Sequence, residues 1–134
     1  GAAALKEIDV ETSIEEADIW GDKETIKIII SNLFNNATKY CHQKGKIEIY
    51  SKLRENNIEI HIKDSGIGMS PEIIDGLFKM ENNVQRLGTS NEKGTGLGLI
   101  LCQEFIHKNN GDIGVKSTEG EGSEFCISLP LYMS

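Results

Sequence analysis

Lys46-Ile47-Glu48-Ile49-Tyr50-Ser51-Lys52-Leu53 is followed, after Arg54-Glu55-Asn56-Asn57, by Ile58-Glu59-Ile60-His61-Ile62. Apolar and polar residues alternate in both halves, which places the isoleucines of each half on one face of a strand. Asn56-Asn57 supplies the turn, so the stretch predicts a β-hairpin with one apolar and one polar face. On this reading His61 is an exposed strand residue of the polar face.

Toward the N-terminus, Gly45 separates the hairpin from a helix predicted over residues 23 to about 40. Ile26, Ile29, Ile30, Leu33 and Ala37 recur there at the spacing of an amphipathic helix, with Asp22 as its cap. Further out, residues 5 to 20 read as short strands, Ile8, Val10 and Thr12 alternating with acidic neighbours, then a turn at Ser13 to Ala17 before Asp18-Ile19-Trp20. Gly1-Ala2-Ala3-Ala4 read as a remnant of expression or a helix end cut from a longer parent, and are set aside.

Toward the C-terminus, Ser70-Pro71-Glu72 gives an N-cap with proline at the first helical position, opening a short helix that Gly76 weakens and that ends near Phe78. Residues 79 to 93 are polar without a sustained period and read as a mobile loop. Leu97, Ile100, Leu101 and Phe105 outline a second amphipathic helix, closed by Asn109-Asn110-Gly111. Two strands finish the chain, Asp112 to Ser117 and Glu124 to Leu129, with Phe125, Ile127 and Leu129 on one face and Gly120-Glu121-Gly122 at the tip. Most strand pairs are hairpins and two connections are too short for helical crossovers. The expected fold is therefore an α/β two-layer sandwich, a mixed, mostly antiparallel sheet covered on one face by helices.

A chain of 134 residues, 38% hydrophobic and 26% charged, is of single-domain size and ordinary for a soluble globular protein. It shows neither a signal-peptide pattern nor an apolar run near the roughly 20 residues of a membrane span. A formal charge of -7 argues against a nucleic-acid binder. Cys41, Cys102 and Cys126 make an odd count without C-x-x-C spacing, which suggests neither a disulfide framework nor a zinc site and fits a cytoplasmic setting.

Three motifs carry chemistry. In Asn32-Leu33-Phe34-Asn35-Asn36-Ala37-Thr38-Lys39-Tyr40, Asn36 lies roughly 40° from Asn32 around the helix and Lys39 roughly 20° to the other side, so the three share a face. An asparagine oxygen is a hard, neutral ligand suited to Mg²⁺, which takes its remaining ligands from water and nucleotide phosphates. Taken alone, the two asparagines better fit a solvated helix face, although three within five residues are costly in a helix. Asp64-Ser65-Gly66-Ile67-Gly68 follows a strand; a buried carboxylate there accepts hydrogen bonds only, which suits the exocyclic amine of adenine and rejects the carbonyl of guanine. Alone it is also an ordinary Asp-Ser-Gly turn. Gly94-Thr95-Gly96-Leu97-Gly98-Leu99 opens the second long helix, with amides and the helix dipole facing phosphates, yet it matches neither the P-loop nor the dinucleotide fingerprint.

The order, spacing and spelling of these motifs resemble the ATP-binding catalytic domain of sensor histidine kinases, within the superfamily of gyrase, a heat-shock chaperone and the MutL proteins. Asn32 to Tyr40 resembles the N box, Asp64 to Met69 the G1 box and Gly94 to Leu99 the G2 box. Gly120-Glu121-Gly122-Ser123-Glu124-Phe125 and Leu129-Pro130 are similar to the family's ending. The resemblance implies one catalytic domain with a Bergerat-type fold, ATP and Mg²⁺ as cofactors, Asn36 as metal ligand, Asn32 as its companion, and Lys39 and Tyr40 beside phosphates and nucleotide. It implies that Asp64 reads adenine, aided by Gly66, Gly68, Met69 and, through water, Ser123. Residues 79 to 93 become an ATP lid with Arg86, Thr89 and Lys93 as contacts, and Gly94, Thr95, Gly96, Leu97, Gly98 and Leu99 hold the triphosphate.

Two departures bear on function. Leu77-Phe78-Lys79-Met80-Glu81 keeps one of the two phenylalanines common in the family's F box. His42, His61 and His107 lack the sequence context of a phosphoacceptor, and His107 reads as a helix-end histidine. The expected activity is donation of the γ-phosphate to a histidine on a separate dimerisation domain, then to the receiver domain of a response regulator, by a fragment that is itself monomeric. The alternatives are an ATPase of the same superfamily and a non-catalytic nucleotide-binding module. An ATPase would carry glutamate at the position of Asn32, where an amide cannot take a proton.

Overall fold

The computed structural model describes residues 7–14, 23–76 and 98–131. Five strands form one sheet: β1 (Asp9–Ser13), β2 (Lys46–Leu53), β3 (Asn57–Asp64), β4 (Asp112–Thr118) and β5 (Gly122–Pro130). Their spatial order is β1-β2-β3-β5-β4, with β1 parallel to β2 and every other pair antiparallel. The helices are α1 (Lys23–Tyr40), α2 (Pro71–Gly76) and α3 (Gly98–Lys108). The expected mixed sheet with helices on one face is the architecture found.

The hairpin has the register that its alternation demands: Ile49 stands opposite Ile62 and Leu53 opposite Ile58, with Arg54 N donating to Asn57 O across the turn. Ile58, Ile60 and Ile62 are buried and meet Leu129, Ile127 and Phe125 of β5, which are buried as well. α1 lies over this apolar face against β3 and α3, while α3 also covers β4. From α1, Ile26, Ile29, Leu33 and Ala37 enter the core. A fully buried aliphatic side chain contributes about 1.5–3 kcal/mol, so this stripe is what fixes α1 to the sheet.

β1 is an edge strand and is exposed along its whole length. Two expectations need correction. Leu101 is 47% exposed; Ile100 is buried and Phe105 packs on the core as expected, while Cys102 and Ile106, which the pattern left out, are completely buried. Leu99, Cys102 and Ile106 lie within about 60° of one another around the helix, and Leu101 points away from that sector. His61 is on the polar face of the sheet but its side chain is only 12% exposed, stacked on the ring of Tyr50 and flanked by Glu59 and Glu124.

The caps follow the sequence closely. Ser70 Oγ accepts the amide of Ile73 at the start of α2. At the end of α3, Gly111 N donates to Ile106 O and Asn110 N to His107 O, the paired bonds of a Schellman cap. The left-handed residue is Asn110 (φ 60°), and Gly111 serves a different need, since a Cβ there would come 2.3 Å from Ser128 O. Asp22, the segment 79–93 and residues 94–97 lie outside the described residues.

Candidate functional site

The buried face of the sheet is apolar along most of its length and turns polar at one end. Ile47, Asp64, Ser123 and Ser117 stand side by side there, one on each of β2, β3, β5 and β4. Among the described residues the buried polar or charged side chains are Thr38, Asp64 and Ser123. Two of the three therefore belong to this single row. Burying a carboxylate and hydroxyls at the edge of a core is costly unless each is hydrogen-bonded, and every buried polar side-chain atom described has a partner.

Asp64 is 5% exposed and its Oδ1 accepts the amide of Gly66 at 2.8 Å, closing an Asx turn. The chain then runs very close to its neighbours. A Cβ on Gly66 would lie 2.1 Å from Tyr40 O, and one on Gly68, which has φ +67°, 2.1 Å from Thr118 O. Gly122, at φ +123°, makes the same close approach to Asp64 O. These glycines let the loop after β3, the end of α1 and the turn between β4 and β5 converge. Ile67 N donates to Tyr40 O and Gly120 N to Ile67 O, which locks the three segments together.

Ser117 is the residue that sequence reading overlooked. Its Oγ accepts the Met69 amide at 2.8 Å and donates to Gly122 O at 2.9 Å. With its single proton so used, the 2.7 Å contact to Ser123 Oγ has Ser123 donating. One hydroxyl thus ties the end of the glycine-containing loop to the β4–β5 turn. The available signal was parity: Ser117 continues the inward positions of Ile113 and Val115, so a polar residue there marks the end of the apolar face.

α1 brings its motif to the same end. Asn32 and Asn36 are half-buried beside the buried Leu33 and Ala37, and Asn35 is exposed. Burial raises the pKa of the Cys102 thiol of α3, and the neighbouring Asn32 side chain acts in the opposite sense. The asparagine face therefore borders α3 and is not simply a solvated surface. Thr38 Oγ1 donates to Phe34 O within the helix. Lys39 Nζ lies 5.1 Å from the centroid of the Tyr40 ring.

Asp64, Gly66, Gly68, Met69 and Ser123 are brought together around the polar row, and the carbonyl of Tyr40 joins them through Ile67. Asn32, Asn36 and Lys39 share the helix that ends at Tyr40. Gly98 begins α3, and Leu99 packs on the core. Thr89, Lys93, Gly94, Thr95, Gly96 and Leu97 lie outside the described residues.

Residues 21–133 match the family model described as histidine kinase-, DNA gyrase B-, and HSP90-like ATPase. The chain is 31% identical over 132 residues to the sensor histidine kinase RppB of Synechocystis sp., covering 97% of this chain and 29% of that protein. It is 34% identical over 113 residues to the sensor protein SrrB of Staphylococcus aureus, covering 84% of this chain and 19% of that one. The chain thus spans less than a third of either relative. Among solved structures, the mycobacterial sensor histidine kinase MprB superposes with a TM-score of 0.82 at 20% identity, over 98% of this chain and 88% of that chain. By sequence, over nearly its whole length, this chain belongs to the family of histidine kinase-, DNA gyrase B- and HSP90-like ATPases, with sensor histidine kinases as its relatives.

Proposed function

We propose that this chain binds Mg·ATP and donates the γ-phosphate to a histidine on a separate dimerisation domain of its parent protein, in the cytoplasm, with a response-regulator receiver domain next in line. The observation that carries this reading is the buried Asp64 at the polar end of an otherwise apolar sheet face. A carboxylate held there by the Gly66 amide is an acceptor for the adenine amine, and Gly66 and Gly68 leave the backbone open to close approach. Met69 and Ser123 border the same place.

The donor set fits the metal. Asn36 offers a neutral amide oxygen on the helix that ends beside Asp64's loop, the kind of ligand Mg²⁺ accepts alongside water and phosphate. Mg²⁺ supplies charge neutralisation across the phosphates during transfer. Lys39 adds positive charge at the end of α1, and Tyr40 closes that end. Thr89, Lys93 and Gly94 to Leu99 complete the reading as the lid and phosphate-holding segment. Asn32 presents no carboxylate to deprotonate water, which favours transfer to an imidazole over hydrolysis. Catalysis by such a site consists of positioning and charge stabilisation, with the nucleophile supplied by the partner.

The test supplies γ-labelled ATP to this chain with and without the phosphoacceptor domain of its parent. The expected result is acid-labile, base-stable label on that domain, abolished by Asn36→Ala, and only slow release of inorganic phosphate without the partner. Rapid release by the isolated chain, lost on changing Asn32, would establish the ATPase reading instead.

A further inference from the structure

The face of the sheet turned away from the helices carries a cluster that the nucleotide site does not use. Glu59 and His61 are two apart on β3 and so share a face, and Cys126 of β5 stands directly opposite His61. His61 Nε2 lies 3.2 Å from Glu59 Oε1 and 3.7 Å from Cys126 Sγ, and the three donor atoms all fall within 4.8 Å of one another. For a tetrahedral Zn²⁺ with ordinary bond lengths, the N···O and N···S separations are about 3.3 Å and about 3.6 Å. We propose that Glu59, His61 and Cys126 form a divalent transition-metal site on the open face of the sheet, matched to Zn²⁺, with a fourth position left for water.

The surroundings are those of a ligand set held in place. His61 Nδ1 is 3.0 Å from Glu124 Oε1, which itself accepts the Tyr50 hydroxyl. With an ion taking the place of the Nε2 proton, the carboxylate on Nδ1 would hold the remaining N–H there and leave the Nε2 lone pair to the metal, the usual support of a metal-bound histidine. Tyr50 stacks on the imidazole with centroids 4.7 Å apart and planes 2° from parallel, restraining the ring. Arg54 Nη2 lies 3.3 Å from the same Glu59 Oε1 and restrains that carboxylate. Nitrogen, sulfur and oxygen donors together select a borderline-soft ion, so Mg²⁺ at the nucleotide site is no competitor here. Ligands spread over two antiparallel strands leave no C-x-x-C spacing, which is why the sequence pattern gave no sign of them.

The experiment titrates the nucleotide-free chain with Zn²⁺ and, separately, with Co²⁺, in excess Mg²⁺. The expected result is one ion per chain, with a thiolate-to-cobalt charge-transfer band that Zn²⁺ displaces. Cys126→Ser removes the band and weakens binding at least about 100-fold, and Glu124→Gln weakens it about 10- to 100-fold. A second reading needs no variant: Zn²⁺ protects Cys126 from alkylation in the unaltered protein, measured by mass spectrometry. Absence of the band, its persistence in Cys126→Ser, or unprotected Cys126 at saturating Zn²⁺ overturns the site and leaves His61 as a structural hydrogen-bonding residue between two carboxylates.

Discussion

At the scale of single residues, the site depends on a few atoms that have no slack. Ser117 shows this best, since one hydroxyl serves the Met69 amide, the Gly122 carbonyl and Ser123. Ser117→Ala leaves the amide and the carbonyl without their partner. It is expected to lower stability by about 1–3 kcal/mol, read from the urea midpoint at unchanged slope, and to weaken nucleotide binding by loosening the loop that follows Asp64. Asp64 and the glycines around it were legible in the sequence because their spacing forms a motif. Ser117 was not, because a serine in a strand becomes informative only when its inward parity and its cross-strand neighbour are known. His61 escaped for the related reason that alternation assigns a face but does not say what else stands on that face.

At the scale of elements, sequence reading succeeded where periodicity was long and failed where tertiary context decides. α1 was legible from its apolar stripe, and the hairpin from its two alternating runs. β1 has the alternation of a half-buried strand yet is exposed throughout, an outcome that alternation alone does not decide. Leu101 is a good core residue by composition that sits outside the sector of α3 facing α1. The difference between a buried and an exposed position on one helix gives a direct check. Leu33→Ala, at a side chain with no exposure, is expected to cost about 2–5 kcal/mol, whereas Ile28→Ala, at 52% exposure, is expected to change stability by no more than about 0.5 kcal/mol, both by chemical denaturation.

At the scale of the whole molecule, the sheet divides the work. Its inner face is a core that ends in a polar row, and the end of α1 and the β4–β5 turn converge on that row through backbone contacts. Its outer face holds a separate polar cluster around His61. A chain with a formal charge of -7 has no global attraction for a polyphosphate, so the proposed function rests recognition on local features: an adenine acceptor, an amide for the metal and a lysine at the helix end. Of these the adenine acceptor is the most selective, because presenting guanine's carbonyl to a buried carboxylate leaves two acceptors facing each other. Calorimetry of the chain with Mg·ATP and with Mg·GTP, repeated on Asp64→Ala, tests this most directly. The expected result is a preference for Mg·ATP of at least about 100-fold that Asp64→Ala abolishes together with most of the affinity, whereas equal binding of the two nucleotides by the unaltered chain would contradict it.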